Sequence, residues 1–187
     1  MKVLSAICIF SLLFFCIAGN VLCETGGQVP ASSTGLFKIS SPAFSEGQPI
    51  PKVYTCSGGN YSPQIQWANP PQGTKSFALV VDDPDAPGGT FTHWIIFNIA
   101  ADKTSLDEKA SPNGTLPAGS IEGRSDFGAV GYGGPCPPPG KAHRYFFKLY
   151  ALDSTLSLQP GVKKDIFVKA IQSHIKAQAQ MIGTFSR

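Results

Sequence analysis

Three carboxylates stand within four positions in Asp82-Asp83-Pro84-Asp85-Ala86-Pro87, directly after the most apolar run of the mature chain. Such crowding is costly through mutual repulsion unless each group is solvated, hydrogen-bonded or facing a cation. Pro84 and Pro87 fix the backbone and remove two amide donors. By itself the segment reads equally as a polar turn or as part of a site. Two histidines open aromatic or β-branched runs downstream: His93 near the start of Thr92–Ile99, and His143 at the start of His143–Tyr150. Strand alternation puts His143 and Tyr145 on one face with Arg144 on the other, and gives His93, Ile95 and Phe97 a common face. A lone strand histidine is more often a hydrogen-bonded structural residue than a ligand, and His174 is assigned that structural role. The loop Gly131-Tyr132-Gly133-Gly134-Pro135-Cys136-Pro137-Pro138-Pro139-Gly140 runs almost directly into His143. Its glycines suit an anion nest of backbone N–H groups, and its prolines stiffen the other half. That junction favours a site over a stiff surface loop.

His143 and Tyr145 give two polar tips on one sheet surface. Catalytic readings are weaker. No Gly-x-Ser-x-Gly elbow exists. A cysteine–histidine pair would need a free thiol. A metal held by Asp83, Asp85 and the two histidines has no supporting spacing signature, so no metal and no cofactor are expected.

The elements that must position these groups are mostly strands. Charged residues make up 14% and hydrophobic ones 42% of the 187 residues, with 20 Gly, 16 Pro and 13 Phe, which points to a β-rich fold with many turns. The net charge is +3 with no block of like charge, so nucleic acid is not an expected partner. Gln64–Ala68 alternates strictly, Ser76–Val81 is apolar enough to be a central strand, and Leu36–Ile39 is a shorter candidate. Lys163–Lys176 places Ile166, Ala170, Ile171 and Ile175 at helical spacing, so a helix of about fourteen residues is predicted there. The period then becomes two, which predicts a last strand with Met181–Phe185 extended.

The amino terminus reads as an address. Lys2 precedes an apolar run, Val3–Ala18, whose helical length of about 24 Å falls short of the ~30 Å hydrocarbon core, as in a secretory signal. Residues 1–23 are assigned as signal peptide, 24–35 as a flexible polar segment and 36–187 as the folded domain. Cleavage fits after Ala18 or Cys23; a lipid anchor at Cys23 is disfavoured by Leu22 before it. The expected location is periplasmic or secreted. Cys56 and Cys136 then remain in an oxidising compartment, either paired or as two separate buried thiols.

Taken in order, Asp83-Pro84-Asp85-Ala86-Pro87, His93, Gly134-Pro135-x-Pro137-Pro138 and His143-Arg144-Tyr145 resemble the phosphatidylethanolamine-binding protein family, also called Raf-kinase-inhibitor-like proteins. Cys56-Ser57-Gly58-Gly59-Asn60-Tyr61-Ser62-Pro63-x-x-x-Trp67 resembles its bacterial branch. The resemblance runs from about Phe37 to Arg187. It implies a mainly β, antiparallel β-sandwich with one C-terminal helix and few short helical turns. It also implies a small anion pocket formed by Asp83, Pro87, His93, Gly134, His143 and Tyr145. The implied function is non-enzymatic binding of a phosphorylated or lipid-headgroup-like ligand, or of a partner carrying one. The alternative is protein-surface inhibition of a protease or kinase. Ser57 stands where an acidic residue is usual and the longer C-terminal extension of animal members is missing, so kinase regulation is the least secure part of what the resemblance implies. The resemblance further suggests that the loops of Cys56 and Cys136 approach one another, favouring a disulfide, and that Asp83-Pro84 is a cis peptide aiming Asp83 into the pocket.

Overall fold

A computed structural model describes residues 35–187. The signal peptide expected over 1–23, and the polar segment up to residue 34, lie outside the described residues. Among the described residues the elements are, in chain order, β1 (Lys38–Ser40), β2 (Ile65–Ala68), β3 (Ser76–Asp83), β4 (Phe91–Ala100), β5 (Ser105–Leu106), β6 (Ile121–Glu122), β7 (His143–Leu152), α1 (Lys164–Ile171) and β8 (Ile175–Phe185), with a 3-10 turn at Lys52–Tyr54. They form two antiparallel sheets, one in the order β1-β2-β5 and one in the order β6-β4-β3-β7-β8.

β3 is buried along its whole length, because both of its faces are covered. Phe77, Leu79 and Val81 face the layer between the sheets, with Trp94, Phe147 and Leu149 beside them and Ile39, Ile65 and Trp67 opposite. Ala78 and Val80 face the other way, against Ile95, Phe97 and the buried side of α1, Phe167 and Ile171. This two-sided burial explains why β3 reads as a continuous apolar run rather than an alternating one.

Two sequence expectations are corrected here. The C-terminal helix covers eight residues, not fourteen, and His174 lies in the turn after it. The His174 amide bonds Ile171 O, and its own carbonyl accepts the Asp153 amide. The chain is thereby drawn into the ladder with β7, where Ile175 already pairs with Leu152. A ten-residue pairing partner outweighs the helical spacing of Ile175. The second correction concerns β4. Val81 pairs with Trp94 but Asp82 pairs with Thr92, so His93 is an extra residue in a bulge. A bulge shifts the phase of the side chains. His93 therefore sits on the same side as Trp94 and against Tyr145, rather than with Ile95 and Phe97 on the α1 side.

Cys56 and Cys136 are joined in a disulfide with Cα atoms 5.4 Å apart, 80 positions apart in sequence. It ties the loop after the 3-10 turn to the Gly/Pro loop, and the Cys56 amide adds a bond to Pro135 O. Replacing both cysteines by serine is expected to cost roughly 4 kcal/mol through the entropy of the unconstrained unfolded chain. Denaturant unfolding of the oxidised wild type and the double variant checks this, and coincident midpoints would contradict it.

Candidate functional site

The end of β3, the bulge of β4 and the start of β7 meet at one edge of the interlayer space. There the side chains that face the core further along face a cavity of about 180 Å³. Asp83, His93 and His143 line it, with Pro87, Pro137 and Pro138 as stiff walls. Ala86, Phe91, Phe127 and Cys136 complete the lining.

Each carboxylate of the Asp82–Asp85 turn has its own partner. Asp83 Oδ2 lies 2.7 Å from His143 Nδ1, and Asp83 Oδ1 accepts the Asp85 amide at 2.8 Å. Asp85 receives Arg144 Nε at 2.9 Å, Arg144 Nη2 at 2.7 Å and the Arg144 amide at 2.9 Å. The Arg144 hydrogen bonds hold the Asp85 carboxyl far below the usual carboxylate range. Asp82, on the opposite face, binds Lys148 at 3.1 Å and Lys164 at 2.6 Å. The turn is thus fixed by side-chain bonds. Asp83-Pro84 is not cis, contrary to the sequence expectation; among the described residues the cis bond is Ser111-Pro112. Asp83 is aimed instead by its bond to the Asp85 amide and by His143.

The carboxylate can only accept, so His143 donates through Nδ1 when Asp83 is ionised, which leaves Nε2 for the cavity. His93 is held differently. Its Nδ1 lies 2.7 Å from Gly133 O, and its Nε2 is buried without a partner. Burial lowers its pKa from the ordinary 6.5, against the opposing pull of the Gly133 carbonyl and of Asp83 and Asp82. Tyr145 is fully buried, its ring edge-on to His93 at 5.2 Å, and its hydroxyl also lacks a partner. Burial, with Asp83 and Asp85 nearby, pushes the Tyr145 phenol well above its usual value, so it stays protonated.

Of the six residues singled out from the sequence, Asp83, Pro87, His93 and His143 line the cavity, and Tyr145 lies directly behind His93. Gly134 does not line it. The Gly134 amide donates to Asn60 Oδ1 at 2.8 Å, the Gly133 amide to His93 O, and the Tyr132 amide to Ser111 Oγ. The amide nest is therefore occupied by the protein itself. Gly133 and Gly134 are glycines because a Cβ would strike the Phe127 ring at the first and Tyr54 O at the second. The loop contributes a wall through Cys136, Pro137 and Pro138 rather than donors. Sequence reasoning missed Phe91 and Phe127. Phe91 stands two residues before His93 and was legible as its strand neighbour, whereas Phe127 sits in the Ser125–Gly128 turn with no pattern to mark it. It is 50% exposed and packs edge-on against Phe91 and His93.

A wider cleft of about 690 Å³ opens on the other side of β4, beside α1. Charges of both signs line it, Arg124, Lys163 and Lys169 with Asp126 and Asp165, and Lys164 there is already committed to Asp82. The smaller cavity is the better candidate because its polar groups are buried, convergent and incompletely satisfied. Among the described residues no group of three His, Cys, Asp or Glu is placed to hold a metal ion.

A two-sheet antiparallel fold with a proline-walled pocket of two histidines, an aspartate and a buried tyrosine defines a recognisable class. The model of the family described as phosphatidylethanolamine-binding protein matches residues 40–186, and the chain belongs to that family. A UPF0098 protein of Methanothermobacter thermautotrophicus is 48% identical over 149 residues, covering 80% of this chain and 98% of its own. The lipoprotein-named LppC of Mycobacterium tuberculosis is 41% identical over 157 residues, covering 83% of this chain and 75% of its own. Among solved structures, YbcL of Escherichia coli, described as a member of the mammalian PEBP family, superposes with a TM-score of 0.77 at 36% identity. The match covers 81% of this chain and 98% of YbcL.

The buried neutral His93 makes acid stability a readout of the site. Between its lowered folded value and about 6.5 the unfolded chain binds the extra proton, so stability falls as pH drops below about 6.5. Urea midpoints measured at pH 7.5 and 5.0 should fall further in the wild type than in His93→Gln, and parallel declines would contradict a neutral buried His93.

Proposed function

We propose that this protein is an exported, non-enzymatic binding protein whose small pocket holds a phosphate-type anion. The carrying observation is a pair of buried, unpartnered polar atoms, His93 Nε2 and Tyr145 Oη, next to a cavity where Asp83 fixes His143. A polar atom buried without a partner is costly, on the order of 1–3 kcal/mol. A ligand that satisfies both recovers that cost. His143, with Nδ1 donating to Asp83, turns its other nitrogen to the ligand and donates through it in the protonated ring. The apolar and proline walls exclude water and strengthen these bonds. Membership of the phosphatidylethanolamine-binding protein family supports a headgroup-like ligand.

The non-enzymatic reading is supported by the disulfide, which removes both thiol nucleophiles of the described domain. The same bond supports export, as do the signal-like residues 1–23 and the lipoprotein name of one relative. Protein partners follow from the same chemistry, as carriers of a phosphate group.

Calorimetric titration with phosphoethanolamine at pH 6, on the wild type and His143→Ala, tests this. The variant should lose roughly 1.5–3 kcal/mol, a tenfold to 150-fold weaker affinity, as expected for a hydrogen bond to a charged group. Equal affinities would place the ligand elsewhere.

A further inference from the structure

What the pocket accepts depends on the lone pair of His93, an inference that rests on the anion-pocket reading above. A carbonyl oxygen only accepts, so the 2.7 Å contact with Gly133 O fixes a hydrogen on Nδ1. In the neutral ring Nε2 is then a bare acceptor, buried and unpartnered. β3 brings Asp83, engaged by His143, and Asp82, engaged by two lysines. β7 brings His143 and Tyr145, β4 brings Phe91, and the Ser125–Gly128 turn brings Phe127. Tyr145 Oη is unpartnered too, so no hydrogen bond joins it to Nε2. The two unpartnered atoms are therefore one donor, Tyr145 Oη, and one acceptor, His93 Nε2, on rings that meet edge-on. A fully deprotonated oxyanion has only lone pairs, and placing one against a bare Nε2 sets lone pair against lone pair.

The geometry points to a pocket that takes a tetrahedral oxyanion together with one proton carried by the ligand. His93 Nε2 accepts from a P–OH group while Tyr145 Oη donates to a second oxygen. The ligand class is a phosphate that keeps a hydroxyl, as inorganic hydrogenphosphate or a singly protonated phosphomonoester. Sulfate, and the phosphodiester of an intact phospholipid headgroup, lack that hydrogen and enter only if His93 takes a proton from solution. The ring of Phe127, half exposed and edge-on to His93 at 5.4 Å, is the side chain whose movement admits the anion to these two sealed atoms.

Calorimetry of the full chain tests this between pH 7.5 and 8.5, in buffers of different ionisation heat. The three ligands are inorganic phosphate, sulfate and glycerophosphoethanolamine as the diester. Phosphate and sulfate are there tetrahedral dianions of equal charge, so the comparison isolates the hydroxyl. Phosphate and sulfate meet His143 with the same charge, so its contribution is common to that pair. Sulfate and the diester should take up one more proton than phosphate, and their affinities should fall about tenfold more per pH unit. His93→Gln, whose amide can donate, should erase the difference. Equal proton uptake by all three ligands in the wild type would overturn the proposal while leaving the anion pocket intact, and it decides the matter even if the variant does not fold. Binding of none of the three would overturn both.

Discussion

Three acidic side chains in four residues must each find a separate partner, and one end of the large sheet is arranged around that requirement. Asp82 and Asp83 are adjacent and nearly fully buried. The pleat of β3 sends them to opposite faces, so they do not share an environment. Asp82 meets Lys148 and Lys164 on the α1 side, Asp83 meets His143 on the interlayer side, and Asp85 reaches out to Arg144. Two of these partners, His143 and Arg144, are neighbours on β7 and point in opposite directions for the same reason. Removing one member of a buried pair leaves an uncompensated charge, at a cost of about 3–5 kcal/mol. The cluster therefore serves stability as well as the site, and it couples the end of β3 to β7 and to the helix at once.

The pocket is a continuation of the core in which apolar side chains give way to polar ones. Phe77, Leu79, Val81 and then Asp83 follow one another along one face of β3, and Leu149, Phe147, Tyr145 and His143 along β7. The bulge in β4 adds His93 to this surface. Its carbonyl accepts the Gly133 amide while its Nδ1 binds the Gly133 carbonyl, so strand and loop are locked by a reciprocal pair. The disulfide at Cys136 and the bond from Arg187 Nε to Pro137 O hold the rest of the loop as a wall.

The parts legible in the sequence were those governed by simple periodicity. The central position of β3 followed from its unbroken apolar run, and the shared face of His143 and Tyr145 from unbroken alternation in β7. Alternation failed at His93 because a bulge changes the phase without changing residue types. The helix end was misplaced because Ile175 satisfies a helical spacing as well as a strand position, and only the length of β7 decides between them. The Gly/Pro loop was read as an amide donor set because its competitors, Asn60 and Ser111, lie far away in sequence. Asn60 nevertheless belongs to the Cys56–Trp67 motif, whose presence beside the loop was foreshadowed by the family resemblance. Phe127 had no signal of any kind.

The central claim is that His93 presents a bare, acceptor Nε2 to an anion while His143 is fixed through Nδ1. Nitrogen NMR of the imidazole rings at pH 7, with and without inorganic phosphate, tests it most directly. The account predicts a neutral His93 protonated at Nδ1, with an Nε2 resonance typical of an unprotonated nitrogen. That resonance should shift on addition of phosphate together with those of His143, while His174, paired with Asp153 outside the pocket, stays unchanged. A His93 protonated at Nε2 in the free protein, or phosphate-induced shifts confined to His174, would contradict it.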